Sequence, residues 1–220
     1  MRYSRARPFA LQEPALLLVT DVTRLRRRAM VEVVRAAVDG GVSIVQLRDK
    51  TASHEDLLAE GRAIRDAING RALFFVNGDV DAALELEADG VHLPEASARI
   101  EGVRALCGER LLISCAVHDI DAALRTARAG ADLLQAGTLF ETASKPGTRL
   151  LGLDGLREVC AAVHPPVIAI GGVTAGNAGA ALVAGAAGVA VIGAIFDAGD
   201  ARAAARELRT ALAAREVRSQ

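Results

Sequence analysis

The chain has 220 residues, 51% of them hydrophobic, with 26 basic and 27 acidic side chains and a formal net charge of −1. That is enough to bury one large core, while near-neutral charge with one Tyr, five Phe and no Trp leaves no basic, stacking surface for nucleic acid. The apolar runs are strand-length, far below the roughly 20 residues that span a bilayer, so no membrane partner is expected.

Residues 1–14 carry Arg2, Arg5 and Arg7 without the apolar stretch of a secretory signal, and read as a loose tail before one domain at 15–216. A strand at 16–19 runs into Thr20 and Asp21, and a helix over 24–38 stops at Gly40 and Gly41. The next strand, 43–47, leads to a helix over 54–68 ended by Asn69 and Gly70. A strand at 73–76 meets Asn77 and Gly78 and an Ala/Leu helix ending near Glu87, and a short strand at 90–93 is followed by a helix start at 94–97. A strand at 111–117 precedes a helix over 119–129, and one at 132–135 opens the longest loop, 136–150. Strands at 167–170 and 188–192 and an Arg/Ala helix at 200–215 complete the pattern.

Eight strands alternating with helical segments predict a single (β/α)8 TIM barrel in the α/β class. A six-stranded doubly wound sheet would leave two strand signals unused, and no GxGxxG turn follows the first strand. Cys107, Cys115 and Cys160 show no CxxC spacing, and their odd number suggests reduced packing groups in a cytoplasmic protein.

In such a barrel the strand ends converge on one rim, which is where catalytic groups sit. Gly171 and Gly172 after strand seven, with Ile192 and Gly193 at the end of strand eight, let backbone N–H groups approach an anion where barrels commonly bind phosphate. Lys50 and Lys145 are the only lysines among the 26 basic residues, and both follow strands. A compact ammonium suits a phosphate oxygen. His118 follows strand five and is the candidate acid/base. Gln46, Arg48, Asn77 and His92 occupy neighbouring strand ends.

Val45-Gln46-Leu47-Arg48-Asp49-Lys50, Val76-Asn77, Gly90-Val91-His92-Leu93-Pro94, Phe140-Glu141-Thr142 with Lys145, Leu151-Gly152-Leu153, and Ala169-Ile170-Gly171-Gly172-Val173 followed by Asn177 appear in this order. The combination resembles the thiamine-phosphate synthase and thiazole tautomerase superfamily from residue 16 to about residue 196. The resemblance implies a TIM barrel in thiamine biosynthesis that takes a small phosphorylated thiazole-type substrate, and it is consistent with a homodimer.

Synthases of this superfamily join an aminopyrimidine diphosphate to a thiazole phosphate, with magnesium held by two aspartates. The matching positions here are Gly78 and Ser97, with Asp79 and Glu95 nearby, and a synthase serine two residues before the strand-five histidine is Ala116. Asn77-Gly78, Leu93-Pro94, Val117-His118 and Phe140-Glu141-Thr142 with Lys145 and Gly147 look more like the thiazole tautomerase branch. That resemblance implies aromatisation of a carboxythiazole phosphate by proton transfer through His118, with no metal or other cofactor. It would place Gln46, Arg48, Lys50, Asn77, His92, Thr142 and Lys145 around the substrate. The alternatives are the magnesium-dependent synthase and a non-catalytic regulator that binds a thiazole or thiamine phosphate.

Overall fold

The computed structural model describes residues 11, 14–25, 29–94, 99–142 and 147–214. Eight parallel strands close into a barrel in sequence order: β1 Ala15–Val19, β2 Ile44–Leu47, β3 Leu73–Asn77, β4 Gly90–Leu93, β5 Leu112–Val117, β6 Leu133–Ala136, β7 Val167–Ile170 and β8 Gly188–Val191, with β8 pairing back onto β1. Helices α1 Met30–Asp39, α2 His54–Ile68, α3 Val80–Glu85, α4 Ile100–Cys107, α5 Ile120–Arg128, α6 Gly152–Ala162, α7 Ala178–Val183, α8 Gly193–Phe196 and α9 Ala201–Ala213 form the outer layer. The predicted barrel is therefore the observed fold.

The period-2 geometry of a strand sends alternate side chains to opposite faces, which yields two apolar regions here. Outward residues such as Leu16, Val45, Val76 and Ile113 meet the helices. Inward residues Leu17, Ile44, Phe75, Leu133 and Ile168 form a separate plug inside the barrel. Phe75 fills the space that Gly90 leaves on the neighbouring strand: a Cβ at Gly90 would lie 2.3 Å from its ring. Large and small residues thus compensate across the barrel interior.

Local chemistry sets the helix starts. Ser53, Asp79, Asp119 and Asp200 each accept a hydrogen bond from the N–H three residues on, at the heads of α2, α3, α5 and α9. Asn69 adopts a left-handed conformation (φ 47°) that ends α2 at the predicted residue.

The helix expected over 24–38 is shorter. Asp21 caps only a 3-10 turn at Val22–Arg24, and α1 begins at Met30. The sequence reading gives no bounds for α6, α7 or the short α8 after β8. The expected tail at 1–14, apart from Leu11 and Pro14, and the helix start around 95–97 lie outside the described residues, and α9 ends at Ala213. Cys107 and Cys115 are buried, Cys160 is partly buried, and all three are free thiols, as expected of packing groups. Burial pushes the Cys115 thiol up to about 12 and that of Cys160 up to about 11, so neither is a ready nucleophile. No helix among the described residues is long and apolar enough to cross a membrane.

Two glycines make a matched test of packing. A Cβ at Gly188, where β8 pairs with β1, would lie 2.3 Å from the Ala15 carbonyl oxygen, whereas one at Gly179 in α7 meets nothing within 4 Å. Gly188→Ala is expected to destabilise by about 1–3 kcal/mol and Gly179→Ala to stabilise by up to about 1 kcal/mol, read as opposite shifts of the urea midpoint.

Candidate active site

The parallel strands deliver their C-terminal ends to one rim, and a cavity of about 900 Å³ opens there, lined by residues of β1 to β7 and by Ile192 directly after β8. Gln46, Arg48, Lys50, Asn77, His92, His118, Ile170 and Ile192 all line it, so most of the residues singled out from the sequence meet in one place. An arm extends between α4 and α5, past Ile100, Ala122, Arg125, Thr126 and Ala129.

The cavity floor is a buried polar layer. Gln135 Nε2 donates to Gln46 Oε1 at 2.7 Å and reaches Ser114 Oγ at 3.4 Å; Gln46 Nε2 donates to Asn77 Oδ1 at 3.1 Å; Ser114 Oγ and His92 Nδ1 are 2.9 Å apart. The members come from five consecutive strands, β2 to β6. Ser114 and Gln135 were not among the predicted site residues, although Gln135 ends a strand in the same apolar-to-polar pattern as the others. Buried amides and hydroxyls are costly unless partnered, and here each is partnered by another inward-facing side chain.

His92 is 6% exposed. Desolvation, reinforced by the nearby positive charge of Arg48, brings its imidazole down to about 3, so it is uncharged at neutral pH. It is a strand residue in this layer.

His118 is exposed on the rim, and its Nδ1 donates to the Gly137 carbonyl oxygen. A carbonyl can only accept, so that contact fixes the proton on Nδ1 and leaves Nε2 as the proton-accepting nitrogen of the neutral ring.

The rim is cationic. Arg48, Lys50 and Arg125 line the cavity, and no carboxylate does among the described residues. Neither Arg48 nor Lys50 has an ion-pair partner among the described residues. Such a cavity selects an anion.

Gly171 and Gly172 have φ of 104° and 65°, conformations open to glycine. They also admit the segment after β6: a Cβ on Gly172 would lie 2.4 Å from the Glu141 carbonyl oxygen, and one on Gly171 2.7 Å from Thr138 Cγ2. At Gly193 a Cβ would meet Asp197 Oδ2 at 2.8 Å, beside the Arg24–Asp197 ion pair. No described residue accepts a hydrogen bond from the N–H of Gly171, Gly172, Gly193 or Ala194. The three glycines border the cavity through Ile170 and Ile192 without lining it, and Thr142 is likewise absent from its lining. Lys145, Glu95 and Ser97 lie outside the described residues.

Magnesium needs hard oxygen ligands, usually carboxylates. Asp79, next to Gly78, instead caps α3 and pairs with His54 at 3.0 Å, and Asp49 accepts from Thr51 and Ala52. The described residues do not fit a magnesium site at this mouth.

The family described as thiamine monophosphate synthase matches residues 16–195. The chain belongs to this family. A thiamine-phosphate synthase of Methanoculleus marisnigri is 42% identical over 204 residues, covering 90% of this chain and 95% of the relative. One from Chloroflexus aurantiacus is 40% identical over 196 residues, covering 88% and 90%. A solved thiamine phosphate pyrophosphorylase from Pyrococcus furiosus superposes with a TM-score of 0.83 at 38% identity, covering 91% of this chain and 96% of that one. These relatives carry the synthase name, so they favour the transferase alternative over the tautomerase placed first from sequence motifs. Closeness to the tautomerase branch has no support from them.

The burial of His92 has a measurable consequence. An unfolded imidazole titrates near 6.5, so between pH 6.5 and about 3 the unfolded chain binds a proton that the folded chain refuses. This contribution to stability is complete above pH 6.5 and declines as the solution is acidified. Urea unfolding at a series of pH values is expected to show a one-proton excess slope over that interval, up to about 1.36 kcal/mol per pH unit, that His92→Gln removes.

Proposed function

We propose that this protein is a transferase of thiamine biosynthesis that joins an aminopyrimidine diphosphate to a thiazole phosphate. The observation that carries the reading is the near full-length match to proteins named thiamine-phosphate synthase, 42% identical across 95% of one of them. A cavity lined by cations and by no described carboxylate suits two phosphorylated substrates.

In this reading the thiazole phosphate is anchored by the free N–H groups around Gly172 and Gly193, which directs its ring toward the mouth. Arg48 and Lys50 face the diphosphate of the pyrimidine. The thiazole nitrogen forms a bond to the pyrimidine's methylene carbon as the carbon–oxygen bond to diphosphate breaks, and pyrophosphate leaves with the electron pair. Negative charge grows on the departing group, and the positive charges of Arg48 and Lys50 at the mouth oppose that growth. Gln46, Asn77 and His92 supply neutral hydrogen-bonding groups for a ring, with His92 held uncharged.

A second reading, isomerisation of a carboxythiazole phosphate, is favoured by the residues at the mouth: Gly78 and Ala116 in place of two polar groups of the synthases, and His118 with Nδ1 pinned to Gly137. There Nε2 of His118 takes the proton from the ring carbon bearing the carboxylate and returns one to the exocyclic alkene carbon. Arg48 opposes the carboxylate.

The two reactions separate in one experiment. Purified protein is given the pyrimidine diphosphate with thiazole phosphate, or the carboxythiazole phosphate alone, each with and without added magnesium. The transferase reading expects thiamine phosphate and pyrophosphate from the first pair. Aromatised thiazole from the second substrate, with no pyrophosphate from the first pair, replaces it with the isomerase.

His118→Ala sharpens the outcome. Isomerisation is expected to fall by at least about 10²-fold, the usual worth of a positioned acid/base, while thiazole phosphate still binds by calorimetry. Arg48→Ala is expected to raise KM for the diphosphate roughly 10-fold to 100-fold, the loss of one charge-assisted hydrogen-bonding group.

A further inference from the structure

Gln135 is the one member of the floor layer with contacts to both of its arms, Gln46 on one side and Ser114 on the other. We propose that Gln135 is a positioning residue that sets the hydrogen-bonding polarity of the cavity floor, turning the Asn77 amide nitrogen and the Nε2–H of His92 together toward the ligand.

The polarity follows from donor and acceptor bookkeeping along the chain of contacts. An amide nitrogen donates only. With Gln135 Nε2 on Gln46 Oε1, the nitrogen end of Gln46 must face β3, where Asn77 Oδ1 accepts it at 3.1 Å. Asn77 Nδ2 then has no partner among the described residues. Nor is it sealed away, because Arg104 Nε is the sole buried side-chain polar atom there without a partner. It therefore opens to the cavity that Asn77 lines.

The second arm works the same way. Ser114 Oγ accepts from the other hydrogen of Gln135 Nε2, and among the described residues His92 Nδ1, 2.9 Å away, is the one acceptor within reach of the serine's own hydrogen. A neutral imidazole that accepts at Nδ1 carries its hydrogen on Nε2. Burial keeps the ring neutral, so the tautomer and not the charge is what the network controls.

Reversing every amide would present Asn77 Oδ1 and the bare Nε2 of His92 instead. The two arms share Gln135 Nε2, so they are tied to one polarity. Two donors on the floor of a cationic mouth suit an acceptor-rich ring ligand such as an aminopyrimidine nitrogen or a thiazole carboxylate. That use of the donors rests on the proposed function; the polarity itself does not.

The test is therefore run without ligand. Nitrogen-15 NMR of the ring nitrogens of His92 distinguishes the tautomers directly, with His92→Gln assigning the signals. The wild type is expected as the Nε2–H form. In Gln135→Glu an oxygen replaces Nε2 and offers Ser114 a lone pair whether or not the carboxyl is protonated, so the serine hydrogen turns to it and His92 switches to Nδ1–H. Gln135→Met, similar in size with neither donor nor acceptor, frees the serine and is expected to give both forms. It decides the matter if the Glu variant does not fold. A wild type in the Nδ1–H form, or one tautomer unchanged in every folded variant, overturns the proposal. A purely packing role for Gln135 predicts the unchanged tautomer.

Discussion

The hydrogen-bonded layer that joins Asn77, Gln46, Gln135, Ser114 and His92 is the constraint on which the mouth of this barrel depends. Below it the interior is apolar, filled by Leu17, Ile44, Phe75, Leu133 and Ile168. Above it the cavity opens to the rim. Polar side chains can lie between the two only because each finds a partner on an adjacent or facing strand. The register that makes this work is strict: Asn77 pairs with His92, and His92 with Ser114, along successive ladders. A slip of one residue in any of these strands would turn its polar group outward into the helix layer and bring a neighbour such as Val76, Val91 or Ile113 into its place.

Charge is distributed around that layer with a division of labour. Acidic groups after the strands are occupied by structure: Asp79 caps α3 and Asp119 caps α5. Arg48 and Lys50 face the cavity without a described anionic partner. Unpartnered N–H groups after β7 and at the start of α8 add to the same positive field. The mouth therefore presents a neutral, directional floor and a cationic edge, an arrangement matched to a ring that carries phosphate. Family membership gives that arrangement its setting among thiamine-phosphate synthases, and no carboxylate lines the mouth among the described residues.

Much of the fold was legible because its signals are local. The helix at His54–Ile68 lies where it was expected, since the Ser53 cap and the left-handed Asn69 act over single turns. The Arg-rich stretch after β1 misled for an equally physical reason: arginine is a good helix former, and propensity alone does not show that the Asp21 cap closes only a 3-10 turn. Gln135 ends its strand as the other site residues do, yet its importance comes from reaching Gln46, 89 positions away, a relation that no local pattern carries. The glycines of the seventh turn were read for an anion. The structure adds that they also let residues 138–141 pass against them, which depends on a contact between two loops.

By itself the sequence determined the eight-stranded barrel, the rim on which Arg48, Lys50, Asn77, His92 and His118 meet, and the resemblance to a family. Those features rest on periodicity, caps and short motifs, each set by interactions within a few residues along the chain. Only the tertiary structure decided which nitrogen of His118 holds its proton, why His92 stays neutral, and how the floor is wired through Gln135 and Ser114. Those properties are fixed by distances and desolvation between strands far apart in sequence, and barrel closure alone brings such groups within hydrogen-bonding reach.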